Sequence, residues 1–313
     1  MSTMTRTAPG AVRPRTQRSF LWTALRSDAA AMVCLVGLTV LVLVVLIAPV
    51  FISGLVTRQE LTNPTAAPGF SHGFWGLLGT DSLGRSVLAR VIVAGRTTLL
   101  IAVSAVGLSA VIGSTLGAAV GYLGGWGESV VMRVADVIMS FPSLLLALIV
   151  LYVFGPRATL IVVVLAVTRL PVYLRTARAR TRELREIAYV EAARGLGLSR
   201  WRIIVRHGIP AVVPSALALV TVEIGLVMLI ESSLTFLGVG VQPPQVSWGL
   251  LAAEGRSYLQ TAWWLSFFPG LAICLTVVAI NVLSGWSRLA TDPKQRWRFI
   301  RDDAGQDGLE VLR

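Results

Sequence analysis

A chain of 313 residues that is 55% hydrophobic, only 14% charged and of mean hydropathy +0.73 reads as membrane-embedded. Its net charge of +12 could suit nucleic acid, but the basic residues are bunched between long apolar runs, which is a pattern of membrane topology and excludes a nucleic-acid partner. The two cysteines, Cys34 and Cys274, both fall inside apolar runs, so there is no disulfide framework or paired metal-ligand spacing, and they read as small buried hydrophobes.

Residues 1–28, rich in Arg, Thr and Pro, read as a mobile cytoplasmic tail. Ala29–Thr57 then contains no charged residue, and about 20 helical residues suffice to cross a ~30 Å hydrocarbon core. A cleavable signal peptide is the competing reading, but the run is too long, starts late and leads into no small-x-small cleavage site. Residues 58–96 are expected outside the membrane, with a Pro/Gly/Asn/Ser-rich loop over Leu61–Gly76. The second span is expected over Thr98–Tyr122. Its Gly113, Gly117 and Gly121 recur every fourth residue and share one helical face, which would let another helix approach closely; plain glycine content of a membrane helix is the alternative.

Gly121–Glu128 reads as an inner turn, followed by Arg133 and Asp136, whose spacing of three allows them to pair. Further spans are expected over Val134–Phe154, Ala158–Leu174, Ala211–Leu237 and Trp264–Leu283. The fourth is weakened by Arg169 and Pro171, and the fifth carries Glu223 and Glu231. Trp263, Trp264, Phe267 and Phe268 at the start of the sixth suit an interfacial aromatic belt. Residues 97–287 thus form a core with five transmembrane helices, and 288–313 a second cytoplasmic tail. The expected fold class is an all-α integral membrane protein of six transmembrane helices.

Six spans put both termini on one side. Arg6, Arg13, Arg15, Arg18 and Arg26 precede the first span; a second basic cluster runs from Arg175 to Arg206; Arg288, Lys294, Arg296, Arg298 and Arg301 follow the sixth. With the termini in the cytoplasm all three clusters fall inside, as the positive-inside rule expects, with Arg58, Arg85, Arg90 and Arg96 as outer exceptions.

The stretch "EAARGLGLSRWRIIVRHGIP", Glu191–Pro210, parses as two short helices around a turn. Residues 181–194 have helical composition, Gly195 and Gly197 can end that helix in the left-handed conformation, and Ser199 can cap the next. Ile203 and Ile204 give the second helix an apolar side, and Pro210 suits the first turn of the fifth span. A basic amphipathic helix lying on anionic headgroups would have the same composition.

This stretch resembles the "EAA" loop of the inner-membrane permease subunits of ABC importers, in which E-A-A, three residues, a glycine and about a dozen residues lead to a proline. Glu191, Ala192, Ala193, Gly197 and Pro210 match that pattern, whereas His207 and Gly208 depart from it. Leu78–Leu99, Met132–Leu148, Glu231–Gly249 and Asn281–Arg296 are similar, in order and spacing, to the dipeptide/oligopeptide/nickel branch of that family, in its second, C-type permease. Ser86, Ser284 and Ser287 are departures.

The resemblance implies a type I importer permease fold whose loop, through Glu191, Ala192, Ala193, Gly197, Leu198 and Arg200, docks as a coupling helix on a cytoplasmic ATPase. It implies as partners a second homologous permease, two ATP-binding subunits, an extracytoplasmic substrate-binding protein and membrane lipid, in a bacterial plasma membrane. Peptides lead as cargo, with nickel chelates and glutathione as alternatives.

The residues themselves offer no enzyme. There is no phosphate-binding G-x-x-x-x-G-K-[ST], no H-E-x-x-H and no G-x-S-x-G, and the single lysine, Lys294, sits in "DPKQR". No cofactor or metal is expected on this chain; ATP and magnesium belong to the partner ATPases that the resemblance implies. Glu223 and Glu231 cost about 2.5–3.5 kcal/mol each to insert and so call for a partner or an aqueous path. Both are candidates for the translocation path, Glu231 rather as a structural or gate-adjacent residue. Glu223 could meet a peptide's amino terminus or be held by an arginine or a hydroxyl from a partner subunit. An ion-coupled transporter using Glu223, or a membrane scaffold whose loop binds only lipid, are the readings from other classes.

Overall fold

The computed structural model describes residues 28–57, 60, 64–70 and 73–291, and among these every regular element is helical apart from an isolated bridge between Thr80 and Ser86. The expected N-terminal arginines, Arg58 and the cluster from Lys294 to Arg301 lie outside the described residues. The helices in chain order are α1 (Ala29–Thr57), α2 (Val87–Leu123), α3 (Gly125–Ser140), α4 (Ser143–Phe154), α5 (Ala158–Leu184), α6 (Ala188–Gly195), α7 (Arg200–Ile203), α8 (Ile209–Phe236), α9 (Trp248–Gly255) and α10 (Trp264–Thr291). Five stretches are long and apolar enough to cross a membrane, and a bent pair brings the number to six.

That bent pair corrects the third span. Val134–Phe154 is not one helix, because α3 and α4 meet at 86°. Pro142 disfavours helical geometry in the residue before it, and Phe141 is accordingly extended, with φ −96° and ψ 137°. The expected pair of Arg133 and Asp136 is also replaced. Asp136 reaches across to Arg175 on α5, and Glu128 at the start of α3 pairs with Arg178, so α3 is fastened to α5 by two ion pairs.

The second and fourth spans are longer than the hydropathy suggested. α2 starts at Val87, where the Ser86 hydroxyl accepts the Ala89 amide and donates to the Trp75 carbonyl. α5 runs through Pro171 to Leu184, ten residues past the expected Leu174. These two helices are the centre of the molecule, and glycine sets their separation. A Cβ placed on Gly113, Gly117 or Gly121 would lie 2.8, 2.4 or 2.6 Å from the carbonyl oxygens of Leu170, Leu174 and Arg178. Backbone therefore packs on backbone along three successive turns, which decides in favour of the close-approach reading of this stripe.

The main core lies between α2, α5, α8, α4 and the loops that follow α8, with Leu165, Leu151, Met228 and Trp248 fully buried. Trp248 opens α9, donating its indole N–H to the Val91 carbonyl at 2.7 Å while its amide donates to the Thr98 hydroxyl at 3.0 Å. Gly95 gives the indole its room, since a Cβ there would stand 2.6 Å from the ring. A second core of Ala118, Tyr122, Ala177, Leu184, Val190, Ile203, Ile204 and Val212 forms at the cytoplasmic ends as the resemblance orients them.

Two further readings need adjusting. Cys34 is half-buried and Cys274 exposed, on helix faces turned away from the core. Trp263 and Phe267 are exposed, as a belt would have them, but Trp264 turns inward and donates its indole N–H to the Thr80 carbonyl.

The packing makes a graded prediction. Gly117→Leu must push α2 off the Leu174 carbonyl and should lower stability by about 1–3 kcal/mol or more. Gly107→Ala, on the same helix with open space around it, should be neutral or slightly stabilising. Thermal unfolding of both variants in detergent checks this; equal loss in both would show that the glycine contacts do not set the interface.

Candidate functional site

Three groups of residues stand out: the loop between α5 and α8, the two acids of α8, and a charge cluster at the opposite end of the bundle from the loop.

The loop is built from the sequence signals expected of it, with one change in its first half. The 181–194 helix is interrupted: α5 ends at Leu184, the chain turns through Arg185–Ile187, and α6 starts afresh at Ala188. Gly195 stays helical, and the stop falls on Gly197, whose φ is +79°. The Leu198 amide bonds back to the Ala193 carbonyl at 3.2 Å and the Gly197 amide to Arg194 at 3.0 Å, which closes α6 with a Schellman turn. Ser199 caps α7, accepting the Arg202 amide at 3.4 Å. One π-helical turn, Ile204–Gly208, then joins α7 to α8 without a break in the helical path.

Val190, Ile203 and Ile204 anchor this assembly in the second core, against the ends of α2 and α5. The matched residues lie on its open side. Glu191, Ala192, Gly197 and Arg200 are exposed, and Ala193 and Leu198 are half-buried. Beside them are large apolar side chains that sequence reasoning passed over: Leu196 is 82% exposed and Trp201 64%, with Ile187, Tyr189 and Val205 also open. Arg194, Arg202 and Arg206 are exposed among them. An apolar patch rimmed by arginines, on a loop held rigid by its own core, is the form of a protein-docking surface. The exposure of Leu196 and Trp201 could have been inferred from their place beside Gly197 and the Ser199 cap, where no helix face buries them.

The two acids of α8 are held differently. Glu231 is 0% exposed and accepts the Thr235 hydroxyl at 2.9 Å and the Ser232 hydroxyl at 3.4 Å, with Ser247 bonded to it as well. Thr235 in turn accepts the Val241 amide at 3.1 Å, so Glu231 organises the turn after α8. Glu223 is also buried but faces Arg169 on α5, with Arg169 Nη1 at 3.8 Å from its Oε2. The arginine that made the fourth span look weak is thus the partner of the acid that compromised the fifth, a pairing legible in sequence only as two costly residues each in need of the other.

At the opposite end of α2 from the loop, Asp81 accepts the amides of Leu83 and Arg85, the Arg85 Nε at 2.7 Å and the Arg90 Nη1 at 2.7 Å. Arg90 is buried and also reaches Glu254 at the end of α9, at 2.8 Å. This explains two of the outer exceptions to the positive-inside pattern, because Arg85 and Arg90 are neutralised within the fold.

Comparison with known proteins bears directly on the loop. Residues 113–297 match the family described as "Binding-protein-dependent transport system inner membrane component", a match that contains α5, the loop and α8 entire. This chain belongs to that family. The permease is 38% identical to the glutathione transport system permease protein GsiD of Pectobacterium atrosepticum over 226 residues, 72% of this chain and 74% of that one. It is 33% identical to the probable D,D-dipeptide transport system permease protein DdpC of Escherichia coli over 91% of its length and 95% of the relative's. It is 31% identical to the dipeptide transport system permease protein DppC of Alkalihalophilus pseudofirmus, over 87% and 88%. It is therefore a multi-pass membrane permease of a binding-protein-dependent transport system, as its resemblance implied.

The Glu231 geometry predicts a stability defect. Glu231→Ala removes the acceptor shared by three hydroxyls and should cost this permease about 1–3 kcal/mol. Ser233→Ala, one turn away from the same turn region and exposed, should stay within about 0.5 kcal/mol of the parent. Unfolding midpoints in detergent measure both.

Proposed function

We propose that this permease forms half of the translocation pathway of an ABC importer for di- and oligopeptides, and that α6 to α7 is the helix–turn–helix through which cytoplasmic ATPases drive it. The observation that carries the coupling role is the loop itself. Glu191, Ala192, Gly197 and Arg200 are presented next to exposed Leu196 and Trp201, on an element whose other side is bolted to α2 and α5 through Val190, Ile203 and Ile204. A partner that moves this loop moves the two helices flanking it, because α5 enters it and α8 leaves it. The cargo class follows the names of the relatives, in which dipeptide and peptide permeases recur.

The complete importer would contain a second homologous permease, two ATP-binding subunits that hold ATP and magnesium, and an extracytoplasmic binding protein. Both termini would face the cytoplasm of a bacterium. Residues 1–28 and 288–313 would be cytoplasmic tails, and 58–96 an outer segment ahead of a permease core. ATP binding would draw the loops together and open the cavity outward; hydrolysis would return it inward, each state being favoured by a different ligand. Within the bundle Glu223 would line the path, while sealed Glu231 would act by holding the turn after α8. Glutathione is the second reading of the cargo, favoured by the similarity to GsiD.

Two experiments test this. A mild-detergent pull-down of the tagged chain should recover two ATPase equivalents, a second permease and a binding protein, with peptide in the ligand eluted from it. Recovery of a stable chain alone would instead favour an ion-coupled transporter. Gly197→Asp and Leu196→Asp should each reduce peptide uptake at least tenfold while membrane insertion persists, since the first strains a left-handed position and the second charges the docking patch. Undiminished uptake in both would remove the loop from the coupling mechanism.

A further inference from the structure

Glu223 and Glu231 lie about two turns apart on α8, yet only one of them is fully satisfied. Glu231 has hydroxyl partners on both oxygens. Glu223 meets Arg169 at 3.8 Å, beyond hydrogen-bond range, and its Oε2 accepts no hydrogen bond. Arg169 spends its Nη2 on the Ser143 hydroxyl, at 2.5 Å, and its Nε has no partner. Tyr173, one turn along α5 and within electrostatic reach of Glu223, has a buried hydroxyl that is also unpartnered.

Three helices thus converge on one cluster. Ser143 is the first residue of α4, just past the Pro142 bend, Arg169 and Tyr173 come from α5, and Glu223 comes from α8. At ~1.5 Å per residue, Arg169 is about 16 Å from the outer end of α5 and Glu223 about 20 Å from that of α8, close to the middle of a ~30 Å hydrocarbon core. The cluster is not closed off. The Arg169 and Glu223 side chains keep 13% and 10% of their surface exposed, whereas Glu231 keeps none. A pair that served only to cancel its own charges would gain most in direct contact with every lone pair covered. This one is held apart with three buried polar atoms unused.

We propose that Arg169, Glu223, Tyr173 and Ser143 form a recognition site in the translocation path for a zwitterionic peptide, Glu223 taking its ammonium end and Arg169 its carboxylate. The inference rests on the peptide reading above and adds the site, its second charge and its polarity. A peptide brings one cation and one anion, so each protein charge exchanges its internal partner for one from the ligand. Neither is left uncompensated at any stage. The buried, unpartnered Tyr173 hydroxyl and the Ser143 hydroxyl now held by Arg169 would bond amide groups between those ends once a ligand parts the pair. A loose internal pair suits a transport site, which must bind its cargo and also release it.

Uptake of a radiolabelled dipeptide that the binding protein holds, into proteoliposomes containing the complete importer, tests the site. The deciding variant is the charge exchange Arg169→Glu with Glu223→Arg. It preserves an ion pair between α5 and α8 but reverses the polarity offered to the peptide. The expected result is a normally assembled importer whose uptake stays at least tenfold below the parent, the loss of one charged hydrogen bond being worth about tenfold. Recovery to within about twofold would show that the pair is purely structural and overturn the proposal. If the exchanged protein does not assemble, Glu223→Gln decides: a KM for the dipeptide raised about tenfold, at equal abundance of assembled importer, supports the site, and an unchanged KM overturns it. A parent importer that takes up no dipeptide although its binding protein is loaded would overturn the peptide reading itself, an outcome separable from the other two.

Discussion

The close contact of α2 with α5 is the constraint on which the rest of this permease depends. In lipid there is no hydrophobic force to draw apolar helices together, so their association rests on van der Waals contact, and the helices that approach most closely gain most. Gly113, Gly117 and Gly121 remove the side chains that would hold α2 off the carbonyls of Leu170, Leu174 and Arg178. With that separation fixed, Ser109 on α2 can donate across the interface to the Ala166 carbonyl at 2.8 Å. The ends of the same two helices then supply Ala118, Tyr122, Ala177 and Leu184 to the second core.

That core makes the loop a mechanical part rather than a tether. α6 is only eight residues long and would not persist alone in water. It is held by Val190 below, by the Schellman turn at Gly197 behind, and by the π-turn that keeps both Ile203 and Ile204 facing inward. Displacement of such an element is transmitted to α5 and α8 together. The same two helices carry Arg169 and Glu223, so the exposed loop and the Arg169–Glu223 cluster sit at different levels of one helix pair.

The end of the bundle opposite the loop is tied in a different way. Asp81 closes its own turn with two amides and then binds Arg85 and Arg90, and Arg90 carries the connection on to Glu254. Trp248 and Trp264 add indole bonds from α9 and α10 to Val91 and Thr80. Residues 80–86 are thereby part of the folded body, fastened by hydrogen bonds and charge, where α2 to α5 uses bare backbone contact.

Much of this was open to reading from sequence. Apolar runs and basic clusters gave the membrane class and the approximate spans, because hydropathy and charge are local properties that insertion acts on directly. The glycine spacing marked the tight interface, and Glu191, Gly197 and Ser199 marked the loop, because a left-handed stop and a hydroxyl cap act within a few residues. Pro142 breaks the helix locally, but periodicity could not show that α4 leaves α3 at 86°, nor that α5 continues through Pro171 into the basic stretch, since the angle and the continuation depend on how the neighbouring helices pack. Nor could it join Arg169 to Glu223, Asp136 to Arg175, or Arg90 to Glu254. Those pairs lie far apart in the chain, and each forms with whichever opposite charge the packing of helices brings within reach.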